Sequence, residues 1–144
     1  MNENHIEIQK VEKEDYEELR RIFLKIRQES FNWLEIDTIK LEDFDHDTEG
    51  ELILTGKINN KIVGFASVWE EDKFIHNLFV VSNFKRCGVG KSLINKCVDL
   101  LGLPLTLKCV KKNENALRFY LSQGWVIKEE VSSKESYYLM KYYG

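Results

Sequence analysis

One eight-residue segment, Lys85-Arg86-Cys87-Gly88-Val89-Gly90-Lys91-Ser92, carries the residue types of an anion site. It follows an apolar run of strand composition and opens a segment with helical periodicity. The first N–H groups of a helix lack internal acceptors and carry the positive end of its dipole. Gly88 and Gly90 allow the backbone to approach a phosphate closely. Lys85, Arg86 and Lys91 add positive charge. Two phosphate motifs fail against this segment. A P-loop ending in Gly90-Lys91-Ser92 requires glycine where Lys85 stands. The dinucleotide fingerprint starts with Gly88 and Gly90, but its third glycine is Leu93.

A second segment with chemical interest is Asn113-Glu114-Asn115-Ala116-Leu117-Arg118-Phe119-Tyr120-Leu121-Ser122-Gln123-Gly124-Trp125. On its own residues it reads as a helix capped by Asn113 and stopped by Gly124. Tyr120 then reads as an aromatic on the buried stripe of that helix. The three cysteines (Cys87, Cys97, Cys109) and His76 lack the spacing of a zinc site, so no metal is expected. An odd cysteine count and an N-terminus without an apolar leader favour the reducing cytoplasm.

These residues need elements to position them. Residues 5–11 alternate apolar and polar, as a half-buried strand does. Residues 14–30 place Tyr16, Leu19, Ile22, Phe23 and Ile26 on one helical stripe. Residues 31–44 suggest a short helix with loops, and residues 45–50 a polar loop. Residues 51–58 and 61–69 read as strands joined by an Asn59-Asn60 turn, since Asn tolerates positive φ. Residues 73–81, apolar almost throughout, predict a central strand. A helix over 88–101, a strand over 105–110, a helix over 113–123 and strands over 125–131 and 136–142 complete the chain. An antiparallel meander followed by β-α-β predicts an α/β domain with a mixed sheet. At 144 residues, one domain spanning 1–144 is expected.

The strand, the loop at 85–90 and the segment from Asn113 to Trp125 together resemble the GNAT N-acetyltransferase superfamily. Its pyrophosphate loop reads [Q/R/K]-x-x-G-x-G, and its later helix reads N-x-x-A-x-x-[FL]-Y-x-x-x-G-[FWY]. Lys85 stands where the family usually has Gln or Arg. The resemblance implies a mixed sheet of about seven strands, antiparallel in its first half, with a splayed parallel pair in the middle and about four helices on both faces. It implies acetyl-CoA as cosubstrate and a primary amine as acceptor. Main-chain groups of Leu78, Phe79 and Val80 would pair with the pantetheine arm, and the Val80 N–H would face the thioester carbonyl. The loop Lys85, Arg86, Cys87, Gly88, Val89, Gly90, Lys91 and Ser92 would hold the pyrophosphate. Asn113 would contact the cofactor. Tyr120 matches the family's proton donor to the departing thiolate.

Some family members take the amine proton with a Glu on the central strand, and others use water. His76 lies there, with the sequence parity of Phe74, Leu78 and Val80, and imidazole titrates near neutrality. A sheet-face histidine is the plain alternative, and Glu70 and Glu71 are weaker candidates. Trp33, Glu35 and Asp37 fall where the family forms its acceptor site, and could grip a cationic amine. Cys87 is read as a spectator. A non-catalytic CoA-binding sensor or scaffold would carry the same cofactor residues.

Charge and composition agree with this frame. Eight bases against two acids lie between Lys85 and Arg118, and eight acids against Lys40 lie between Glu35 and Glu51. A basic half suits CoA phosphates and an acidic half an ammonium. The net charge of −3 argues against nucleic acid as a partner, and no apolar run approaches the ~18 residues of a membrane span. The aromatic content of 12% is too high for a disordered chain. Dimers are common in the family, so a homodimer is compatible with the reading.

Overall fold

The structure, a computed structural model, describes residues 5–30 and 39–144. Its strands are β1 (Ile6–Lys10), β2 (Leu52–Ile58), β3 (Lys61–Trp69), β4 (Phe74–Val80), β5 (Leu105–Val110), β6 (Val126–Val131) and β7 (Tyr137–Tyr142). Its helices are α1 (Tyr16–Ser30), α2 (Asp43–Asp47), α3 (Val89–Leu101) and α4 (Glu114–Ser122). The strands form one sheet ordered β1-β2-β3-β4-β5-β7-β6. Every neighbouring pair is antiparallel except β4 and β5. The mixed sheet expected from the sequence is therefore present, with α3 as the crossover between its parallel strands.

Each face of the sheet has its own core. On one face, Leu19 and Phe23 of α1 and Phe44 of α2 meet Ile53, Phe65 and Phe79. Their rings pack edge to face, with Phe44 and Phe65 centroids 5.5 Å apart. On the other face, Val89, Leu93 and Cys97 of α3 and Tyr120 of α4 meet Leu54, Ala66, Ile75 and Leu107. The Asn59-Asn60 turn takes positive φ at both residues (52° and 65°), as a two-residue hairpin requires.

Two details depart from the sequence reading. The stretch 45–50, expected as a loop, begins inside α2. That five-residue helix buries Phe44 and is tied to α1 by ion pairs, Arg20 to Asp45 at 2.8 Å and Arg27 to Asp43 at 3.2 Å. Pairs between residues so far apart in the chain leave no local signature. The second departure is the parity of β4. Ser67 faces Asn77 and Val68 faces Ile75, so His76 is an extra residue, a β-bulge. Ile75 lies on the α3–α4 face, and after the bulge so do Leu78 and Val80. His76 shares the opposite face with Asn77 and Phe79 rather than the face of Leu78 and Val80.

The α3 N-terminus is seated by missing side chains. A Cβ at Gly64 would stand 2.8 Å from Phe79 O and 2.9 Å from Val89 Cγ1. Gly56 packs against the same valine, with a Cβ there 3.2 Å from it. Gly64→Ala overpacks this contact and is expected to lower the unfolding free energy by about 1–3 kcal/mol in denaturant titration. An unchanged midpoint would show that α3 can lift away freely.

Candidate active site

The central feature is an opening between the two parallel strands. Pairing of β4 with β5 covers Phe74 with Thr106 and Ile75 with Leu107, and then ends. The bulge residue His76 follows directly on the last paired residue. On its other edge β4 continues along β3, where the Val81 N–H donates to Val63 O at 2.8 Å. Alternation along a strand then turns the main-chain groups of Val80 and Leu78 into the opening. Those of Phe79 point towards β3, so Phe79 brings its ring, and not its main chain, to this region.

The loop at 85–92 lies beyond the C-terminal end of β4. Arg86 and Gly88 are left-handed, with φ of 67° and 87°, and Gly88 is the N-cap of α3. The first internal helix bond is Ser92 N–H to Gly88 O at 3.0 Å, so the N–H groups of residues 89–91 lack an intrahelical acceptor. Lys85, Arg86, Cys87 and Lys91 are exposed. Donor groups on a helix start, ringed by cations, suit an anionic cofactor such as the pyrophosphate of CoA. Gly90 has a packing reason as well: a Cβ there would stand 3.1 Å from Phe119 Cζ.

Asn113 caps α4, its Oδ1 accepting from the Ala116 N–H at 3.2 Å. Tyr120 is 9% exposed and lies on the α3–α4 face. Its ring meets Trp125 edge-on at 5.6 Å. Burial pushes its phenol above the ordinary 10.0, and Cys109 adds to the shift. Burial alone pushes Cys97 up to about 12, while Cys87 is an exposed free thiol.

On the opposite face, an open pocket of about 490 Å³ is lined by Phe23, Phe79 and Val110 together with Asp47, His76 and Glu135. His76 Nδ1 lies 2.9 Å from Glu51 Oε2, and Asn77 Nδ2 donates to Asp47 Oδ2 at 3.0 Å. Asp47, Glu51, Asn77 and Glu135 were not singled out by sequence. The acidic run marked the region of the first two, and the bulge that delivers Asn77 has no sequence signal. The run itself divides. Asp43 and Asp45 face the arginines of α1, and the Arg20 hydrogen bond holds the Asp45 carboxyl below its usual range. Trp33, Glu35 and Asp37 lie outside the described residues.

The sequence profile of the acetyltransferase (GNAT) family matches residues 13–125. The chain belongs to the GNAT acetyltransferase family. Solved structures agree on the fold. A GCN5-related N-acetyltransferase of Rhodopseudomonas palustris shares 21% identity, with 99% of this chain and 98% of that one aligned at a TM-score of 0.78. The yncA protein of Salmonella typhimurium, solved with its cofactor acetyl-CoA, shares 16%, over 97% and 94%, at 0.74. The ribosomal-protein-S18-alanine N-acetyltransferase of Escherichia coli shares 20%, over 95% and 92%, at 0.72.

The Tyr120 environment sets a pH dependence. Its pKa is raised in the folded chain, so its contribution to stability is complete below the unfolded value of 10.0 and is lost as pH rises beyond it. Tyr120→Phe is expected to flatten the decline of unfolding free energy above about pH 10. A decline as steep as in the wild-type chain would contradict the buried, neutral phenol.

Proposed function

We propose that the chain transfers an acetyl group from acetyl-CoA to a primary amine of a small molecule, peptide or protein. The observation that carries this reading is the opening itself. Two parallel strands part where Val80 and Leu78 present main-chain groups, in a sheet that buries Tyr120 on one face and carries His76 on the other. Bound acetyl-CoA supplies a thioester whose C–S bond breaks as the C–N bond to the amine forms.

The residues take complementary parts. The N–H groups of residues 86–91 and the cations Lys85, Arg86 and Lys91 hold the pyrophosphate. Asn113 borders the cofactor while its Oδ1 caps α4. The Val80 N–H donates to the carbonyl oxygen as negative charge develops there. The Tyr120 O–H gives its proton to the departing sulfur. Burial keeps the phenol protonated and so ready to donate, while the same desolvation makes it a weaker acid than a free phenol. His76 Nε2 takes one proton from the bound ammonium and so frees the lone pair that attacks, and the second proton, lost from nitrogen as the C–S bond breaks, restores the Tyr120 phenol. Phe23, Phe79 and Val110 shape a slot for the stem of the acceptor, and Asp47 favours its ammonium form. The free thiols Cys87, Cys97 and Cys109 suit the reducing cytoplasm.

Acetyl-CoA titration by calorimetry, with free-thiol release across an amine panel, tests the reading. Binding without acceptor-dependent thiol release would favour a CoA-binding sensor or scaffold. Tyr120→Phe is expected to lower kcat by about 10²–10⁴ while acetyl-CoA binding changes less than tenfold. Equal loss of both, or loss of neither, removes the proton-donor role.

A further inference from the structure

We propose that Glu51 is a positioning residue for His76: it holds the proton on Nδ1 and turns Nε2, free of it, towards the pocket. The inference rests on the acetyltransfer reading above and adds the device that makes His76 a competent base.

Glu51 stands at the entry to β2, and its side chain is only 8% exposed. Both carboxylate oxygens bracket His76 Nδ1, at 2.9 Å and 3.2 Å. An ionised carboxylate only accepts hydrogen bonds, so Nδ1 is the donor. In a neutral imidazole the other nitrogen then carries the lone pair, and the bond made at one nitrogen sets the role of the other. The Nε2 atom lies 3.8 Å from Asp47 Oδ2. That is too long for a hydrogen bond, so Asp47 does not hold a proton on Nε2.

Asp47 is itself held. Its Oδ2 accepts from Asn77 Nδ2 at 3.0 Å, and the same Nδ2 lies 2.8 Å from Ser67 Oγ. Nε2 and the Asp47 carboxylate thus form two adjacent acceptors at the pocket. An ammonium can donate to both, and loses its proton to the imidazole. Phe74 stacks on the His76 ring at 6.4 Å and 25°, which restrains its plane from the strand side. Among the described residues, the charged groups around the imidazole are Glu51 and Asp47, Glu135, Arg27 on α1 opposite Asp43, and Lys108 beyond the Phe74 ring.

The arrangement follows from the bulge. Without the extra residue, regular alternation could not place both His76 and Asn77 on the α1–α2 face. With it, one strand delivers the base and the clamp of its neighbouring carboxylate side by side. Glu51 would then do for His76 what a buried carboxylate does in a catalytic triad, where a wrong tautomer disables the base although the geometry persists.

The test reads the tautomer and the chemistry separately. Long-range proton–nitrogen correlation NMR on the imidazoles, with His76 assigned by His76→Gln, reports which ring nitrogen is protonated. The wild-type chain is expected to show Nδ1–H at neutral pH. In Glu51→Gln, whose amide can donate to Nδ1, and in Glu51→Ala, that signature is lost. Acetyl transfer to a panel of lysine, spermidine, phenethylamine and a short peptide with a free N-terminus then falls about 10–10²-fold in kcat. The KM for acetyl-CoA is expected to stay within about twofold, since Glu51 is remote from the anion loop. A protonated Nε2 in the neutral wild-type ring overturns the proposal, as does an undiminished kcat in a variant whose tautomer has changed. A wild-type chain that transfers to no amine overturns the functional reading itself, and is thereby distinguished from failure of Glu51 alone.

Discussion

Two parallel strands that begin paired and then part are the constraint on which the rest of the molecule depends. Main-chain N–H and C=O groups inside a sheet are satisfied by the neighbouring strand, and leaving them without a partner is costly. Here β4 keeps β3 along its whole length but loses β5 after Ile75. The groups of Leu78 and Val80 therefore face an opening that only an extended ligand with its own amide groups would fill like a strand. The sheet tolerates the parting because each half is antiparallel and independently braced, β1 to β4 by α1 and α2, and β5 to β7 by α4 and the Trp125–Tyr142 stack.

The opening joins two chemically different faces. One is dry: Tyr120 sits among Trp125, Phe119 and Cys109, and its phenol resists ionisation. The other is wetter and acidic, with Asp47, Glu51 and Glu135 around His76. An intact hydrogen-bonded ladder would separate the two faces, and the parting of β4 from β5 after Ile75 interrupts it. The bulge at His76 and the seating of Val89 against Gly56 and Gly64 are the two local devices that place the imidazole and the loop at 85–92 at the ends of that gap.

How much of this is legible in the sequence depends on how local the cause is. The Asn59-Asn60 turn, the glycine-opened α3 and the Asn113 cap are set by neighbouring residues, and all three were readable. The order of elements and the two-faced mixed sheet followed from them. The bulge was not readable, because it exists only in the register of β4 against β3. Counting alternate residues put His76 with Leu78 and Val80, and the extra residue moves it to the other face. The helix α2 was missed for a related reason: its five residues are held by Arg20 and Arg27 from another helix. The acidic run, read as one group, divides in the structure. Asp43 and Asp45 brace α1, while Asp47 and Glu51 face His76. Gly90 shows the converse, a residue read for phosphate whose bare Cα is also required by the Phe119 ring.

The central claim is that the parted edge of β4 receives the cofactor. Residue-resolved amide hydrogen exchange with and without acetyl-CoA tests it most directly. The N–H groups of Leu78 and Val80 are expected to slow strongly on binding, together with those of residues 89–91. Phe79 and Val81, already bonded to β3, should change little. Binding that slows the loop but leaves Leu78 and Val80 as exposed as before would contradict the account.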